Sequence, residues 1–153
     1  MAAFVGAAVV SLGLVVPTSA FAVGCYGSTC DNKGPVAMGC NKDAVNVRGT
    51  TEVMLTYSKA CNAYWVFSTW APQFWDSTLY VERGYYNATT KQYTNIKRLQ
   101  IAFSPGETAE WTNMLGSYGP NNEGFLGVRD WHGGDGVKYT GWHCHKRGCP
   151  PWV

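Results

Sequence analysis

Three imidazoles stand near the C-terminal end of the chain: His132, His143 and His145. Three neutral imidazoles suit a tetrahedral zinc ion with an open fourth position, the arrangement that turns bound water into a nucleophile at neutral pH. On a strand, a spacing of two puts His143 and His145 on one face, and His132 approaches them if it ends the partner strand. Against a tight metal site, the segment GWHCHKRGC is closed by Cys144 and Cys149, Lys146 and Arg147 add positive charge, and no acidic residue stands ready to orient a ligating ring. The three histidines are therefore read as surface groups in a basic loop, and no cofactor is expected. A metal-assisted hydrolase built on them is the alternative function.

Other groups that suggest chemistry have simpler roles. Glu107 and Glu110 are a carboxylate pair one helical turn apart, whereas a glycosidase needs two carboxyls that flank the bond from opposite sides. The run His132-Gly133-Gly134-Asp135-Gly136 lacks the Gly-Lys-Ser/Thr ending of a phosphate loop. Asp31, Asn32 and Asp43 lack the ligand order of a calcium loop and read as turn formers. No nucleophile elbow and no Ser/His/Asp order is present, so the sequence favours a binding protein over an enzyme.

The broader signal is aromatic. Aromatic residues make up 14% of the chain, as many as the charged ones, and seven are Trp. Trp131, Trp142, Tyr85 and Tyr86 fall outside the strand faces that Leu55, Leu79 and Ile101 define, and they are the candidate contact surface. Large rigid side chains of this kind serve a protein partner best, with a glycan as the second choice. The competing reading packs them into the core. A net charge of +2 without a basic run gives a nucleic-acid partner no electrostatic support.

Strands must position these residues. In VMLTYSKACNAYWVF, from Val53 to Phe67, Val53, Leu55 and Tyr57 alternate with Thr56 and Ser58. A five-residue turn at Ser58 to Asn62 then leads to a second dense run of strand formers. Cys61 at the end of the turn would pin this hairpin, with Trp65 packed beside it. Further strands are expected from Leu79 to Tyr86 and from Tyr93 to Phe103, and a glycine-joined hairpin from Phe125 to Trp131 and Val137 to Cys144. Thr69 to Asp76 reads as a bend with large apolar anchors. Ser104-Pro105-Gly106-Glu107 carries N-cap, first-turn proline and capping-box signals, and predicts one short helix ending at Gly116 that buries Trp111, Met114 and Leu115. The fold class is all-β, mainly strands with one short helix, as a small disulfide-linked barrel or sandwich.

Residues 1–22 read as a secretory signal peptide: an apolar run, Pro17 as breaker, and Ala20-Phe21-Ala22 as cleavage site. The run is too short for a membrane span, and its lack of a Lys or Arg head leaves room for a start upstream of Met1. Residues 23–153 then form a single secreted β-rich domain, with 23–49 as an irregular cross-linked arm and no membrane span in the mature chain. Six cysteines in an exported chain predict three disulfides. Many connectivities are open; Cys25 with Cys30, Cys40 with Cys61 and Cys144 with Cys149 are expected because neighbours in sequence meet most often.

CYGSTCDNKGPVAMGCNKDA, from Cys25 to Ala44, followed by Tyr57-Ser58, Cys61, Ala63 and Trp65, resembles the YjfA-type domain of unknown function of secreted Gram-positive bacterial proteins. Trp111-Thr112-Asn113-Met114 is similar to a later motif of that family. The sequence departs from the pattern at Thr56 and near Phe67, where the family often has Arg, and at Gly34, where it has Asp before the Pro. The resemblance implies an extracellular address and a fold rather than an activity.

Overall fold

Alternation along Val53–Ser58 sends Val53 and Leu55 one way and Met54, Thr56 and Ser58 the other, yet every residue but Tyr57 is buried. A strand of this kind needs cover on both faces, and that requirement organises the molecule. The computed structural model describes residues 22–70, 76–132 and 136–146. Within them the protein is mainly β: two antiparallel sheets packed face to face as a sandwich, neither closed into a barrel.

The first sheet contains β1 (Val45–Thr50), β2 (Val53–Ser58) and β3 (Ala63–Ser68) in that order, with β6 (Glu110–Trp111) and β7 (Leu115–Gly116) both on the far edge of β3. The second contains β4 (Ser77–Asn87) between β5 (Gln92–Phe103) and β8 (Glu123–Trp131), with β9 (Val137–Tyr139) and β10 (His143–Cys144) on β8. The hairpin at Val53 to Phe67 forms as the sequence predicts, with Leu55 opposite Val66 and Ser58 opposite Ala63. Val53, Leu55, Tyr64 and Val66 from one sheet meet Leu79, Val81, Phe103 and Phe125 from the other in an apolar cluster. Tyr64 stacks on Phe125 with ring centroids 3.9 Å apart, and burial drives the Tyr64 hydroxyl pKa far upward.

The other face of β2 and β3 is covered by the arm. Its regular structure is limited to two 3-10 turns, Gly27–Cys30 and Cys40–Asp43. Cys25 is bonded to Cys30 and Cys40 to Cys61, the pairings expected from sequence. Trp65, Ala63 and Met114 close over these bridges. Cys144 is disulfide-bonded as well; its expected partner Cys149, like the expected signal peptide up to Phe21, most of the bend expected at 69–76 and residues 133–135, lies outside the described residues.

Three expectations are corrected. First, the arm ends sooner than 49, because Val45–Thr50 pairs with β2 as an edge strand. Second, 104–116 is not a helix. The cap contact exists, Ser104 N donating to Glu107 Oε2 at 2.6 Å, but only a turn follows it. Val66 N donates to Thr112 Oγ1, Thr112 N to Val66 O and Met114 N to Lys33 O, so the segment finishes the sheet edge and long-range pairing outweighs local helix signals. Third, 137–144 is not one strand. Gly127 N donates to Thr140 Oγ1 and Thr140 N to Gly127 O, a side-chain closure that diverts the backbone between β9 and β10.

Candidate functional site

A cleft of about 350 Å³ opens where the arm lies over the outer face of the first sheet. Alternation along β3 places Ala63, Trp65 and Phe67 on this face, opposite to Tyr64 and Val66. Trp65 forms the buried floor at 4% exposure. The short β6 strand puts Trp111 opposite Phe67, their rings 6.3 Å apart, and leaves the indole 37% exposed at the rim. Pro35 and the exposed Val36 form the arm wall. The polar groups are uncharged: Asn41, Asn46 and Thr56, with the Thr56 hydroxyl donating to Asn46 Oδ1 at 3.0 Å and the Asn46 amide directed at Met54 Sδ. Among the described residues, no acid, base or imidazole lines this cleft. Its chemistry is the desolvation of an apolar or aromatic group, with amides to orient it.

Two carboxylates and one bridge fix the arm wall. Cys40–Cys61 ties it to the β2–β3 turn. Asp43 accepts from Ser58 Oγ at 2.5 Å and from Ala60 N at 2.8 Å. Asp31 accepts from Lys97 Nζ at 2.7 Å, Gly116 N and Tyr118 OH at 2.8 Å, and Arg83 Nη1 at 3.1 Å, joining the arm to both sheets. Burial alone would raise the Asp31 pKa, but the Lys97, Gly116, Tyr118 and Arg83 contacts outweigh it and hold the carboxyl below its ordinary value.

The structure divides the four aromatics singled out from sequence. Trp131 lies on the interior side of β8 at only 8% exposure, its ring against Arg129 and Trp70. Tyr85 is partly buried and pairs with Glu123 at the opposite end of the sandwich. Only Tyr86 and Trp142 come together, through Tyr93, which is 5.5 Å from the first ring and stacked at 3.7 Å on the second. This row lies over the paired Gly84 and Gly124, where a Cβ would come within 2.6 Å of Ile96 or of the Tyr93 ring. The β8–β9–β10 register, with His143 opposite Phe125 and Val137 opposite Asp130, separates Trp142 from Trp131.

The same register separates the histidines. His143 and His145 do share a side, both rings within 5.8 Å of Tyr64, and the Tyr64 hydroxyl is 2.9 Å from His145 Nδ1. Burial lowers both pKa values, helped by Arg48 and His145 at His143; at His145, Glu123 opposes the shift and Lys146 adds to it. His132 follows the other end of β8, its Nε2 3.2 Å from Thr78 Oγ1, roughly 20 Å of strand away. The three imidazoles do not converge.

Arg129 is the most unusual group of the interior. Its guanidinium is fully buried among Trp131, Phe103 and Trp70, donates to Ser68 Oγ, Ser77 Oγ and the carbonyls of Glu52 and Trp70, and has its pKa pushed down to about 10 by burial against the weaker pull of Glu52. It bridges the open end of the two sheets.

Sequence reasoning placed Trp65 beside the disulfide correctly but assigned Trp111 to a helix face, and it did not see the cleft. One signal was present: β3 carries large aromatics at Tyr64, Trp65 and Phe67, on both faces, which calls for a second covering layer. No protein-family model matches the chain, and neither a curated protein nor a solved structure matches it.

Proposed function

We propose that the protein is a secreted, extracellular binding or adaptor module of the YjfA-like kind, and that it engages a protein partner through the aromatic cleft between the arm and the first sheet. The observation that carries this reading is the pairing of a 37%-exposed Trp111 with Phe67 and Trp65 around a cleft of about 350 Å³ that no ionisable group lines among the described residues. A volume of that size takes one or two apolar side chains of a partner. A half-exposed indole on a rigid strand gives large contact area at small entropic cost. The disulfides are consistent with an oxidising compartment outside the cytoplasm, which the leader at 1–22 would reach. The Tyr86–Tyr93–Trp142 row is a second aromatic face, backed by glycine, and the same assay ranks it against the cleft.

Partners captured from culture supernatant on immobilised protein provide the test. Trp111→Ala should weaken capture roughly thirtyfold, about 2 kcal/mol, while the melting temperature stays close to wild type. Undiminished capture by Trp111→Ala, with loss in Trp142→Ala or Tyr86→Ala instead, would move the site to the second sheet. Undiminished capture by all three would reject an aromatic surface.

A further inference from the structure

We propose that Cys25, Cys30, Cys40 and Cys61 form a tetrathiolate site for zinc when their two bridges are reduced, so that the same four sulfurs close the arm either covalently or around one metal ion. The four Sγ atoms all lie within 4.8 Å of one another and all four residues are buried. Cys25 Sγ and Cys40 Sγ, which are not bonded to each other, are 3.9 Å apart. Zinc–sulfur bonds of about 2.3 Å in a tetrahedron place neighbouring sulfurs about 3.8 Å apart. Opening each bridge therefore asks its two sulfurs to separate to a spacing that the unbonded pair already has.

Two independent bridges need not share one space. Here three separate stretches of chain deliver sulfur to a single point: the first 3-10 turn and the residues before it, the start of the second, and the β2–β3 turn. Trp65, Ala63 and Met114 wrap the cluster and exclude water, which strengthens thiolate–metal attraction. Four soft sulfur ligands with no imidazole or carboxylate in the group select zinc among the common divalent ions.

The exchange balances as follows. Two equivalents of a dithiol reductant give four electrons and four protons to the two bridges, each dithiol closing to its own disulfide and the protein becoming a tetrathiol. Zinc then displaces the four protons and is held by four thiolates. Two equivalents of a disulfide oxidant reverse the sequence: each takes two electrons from a thiolate pair and two protons from water to become dithiol, the two bridges close, and the metal is expelled. The inference is independent of what the cleft binds.

The purified full chain, reduced anaerobically with excess phosphine and titrated with Co²⁺ as a visible substitute for zinc, tests it. One equivalent should bind, with thiolate-to-cobalt charge-transfer bands and the strong d–d absorption of a tetrahedral site. One equivalent of Zn²⁺ should bleach both, and the oxidised chain should show neither. Cys144→Ser/Cys149→Ser should retain the spectrum, and Cys30→Ser/Cys61→Ser should weaken binding at least 100-fold. Because metal binding and folding are coupled, near-ultraviolet circular dichroism of the reduced chain should rise with the first equivalent of metal. A reduced chain without the thiolate bands, bands that persist in Cys30→Ser/Cys61→Ser, or bands that vanish in Cys144→Ser/Cys149→Ser would overturn the proposal.

Discussion

The two faces of β2 and β3 are covered in opposite ways. On the inner face, Val53, Leu55, Tyr64 and Val66 meet the second sheet in an apolar cluster, with polar contacts confined to its ends, where Arg129 reaches Ser68 and the Tyr64 hydroxyl reaches His145. On the outer face, an arm with two 3-10 turns, braced internally by Cys25–Cys30, is fastened to the sheet by Cys40–Cys61 and by the Asp31 and Asp43 carboxylates. The difference shows what a short irregular segment needs. Lacking a periodic apolar face, it cannot offset its ordering entropy by burial, and covalent and ionic contacts take over. It also locates the cleft, which has the rigid sandwich as its floor and the fastened arm as its wall.

The sharpest way to break the inner face is Phe125→Ala. This removes the ring stacked on Tyr64, and a fully buried aromatic of this kind costs about 3 to 5 kcal/mol. Thermal or urea unfolding should show one cooperative transition moved far down. Next in size is the outer face. Cys40→Ser/Cys61→Ser opens a loop of 21 residues' separation and should cost about 3 kcal/mol in the chain-entropy account. Its damage should be local as well: limited proteolysis should cut within the arm at temperatures where the sandwich is still folded.

The contrast also explains what the sequence disclosed. The inner face was legible because alternation marks which residues point inward: Val53 and Leu55 in a strand that proves buried on both faces, and Leu99, Ile101 and Phe103 in one that is half-buried. The Cys25–Cys30 and Cys40–Cys61 bridges followed from the rule that cysteines adjacent in the order of the chain meet most often, although many pairings were open. The cleft was hidden because it depends on long-range pairing. Thr112 satisfies Val66, and Lys33 accepts from Met114, contacts that no local signal at Ser104-Pro105-Gly106-Glu107 announces. Trp131 was misplaced for a related reason. Its side chain points inward with that of Arg129, two residues back, and packs on it and on Trp70, contacts that no local signal announces.

Smaller effects separate the fastenings by pH. His143 and His145 are held below 6.5, so the unfolded chain takes up protons first and stability should decline as pH falls below about 6.5, levelling once the folded imidazoles protonate. Asp31 is held below 3.8. Its contribution is complete above that value and is lost as pH falls through the lower value of the folded state. Urea midpoints measured from pH 7 downward should therefore fall in two steps. Asp31→Asn should flatten the lower step only, and His143→Gln/His145→Gln the upper step only. If Asp31→Asn leaves the acid limb unchanged, its four contacts are not a fastening.

The smallest effect on stability is expected at Trp111, where alanine should change unfolding by no more than about 0.5 kcal/mol because the indole is a rim group. Its effect on capture is the roughly thirtyfold loss given above. A melting temperature lowered as far as in Phe125→Ala would make Trp111 a core residue and remove it from the site.

The most direct measurement is partner capture by Cys40→Ser/Cys61→Ser at a temperature well below its melting midpoint, with near-ultraviolet circular dichroism recorded on the same sample. Folded aromatic signal from the sandwich together with capture reduced thirtyfold or more is the predicted result, since the floor of the cleft persists while its wall is released. Wild-type capture from a variant whose arm is open to protease would contradict the assignment of function to the cleft.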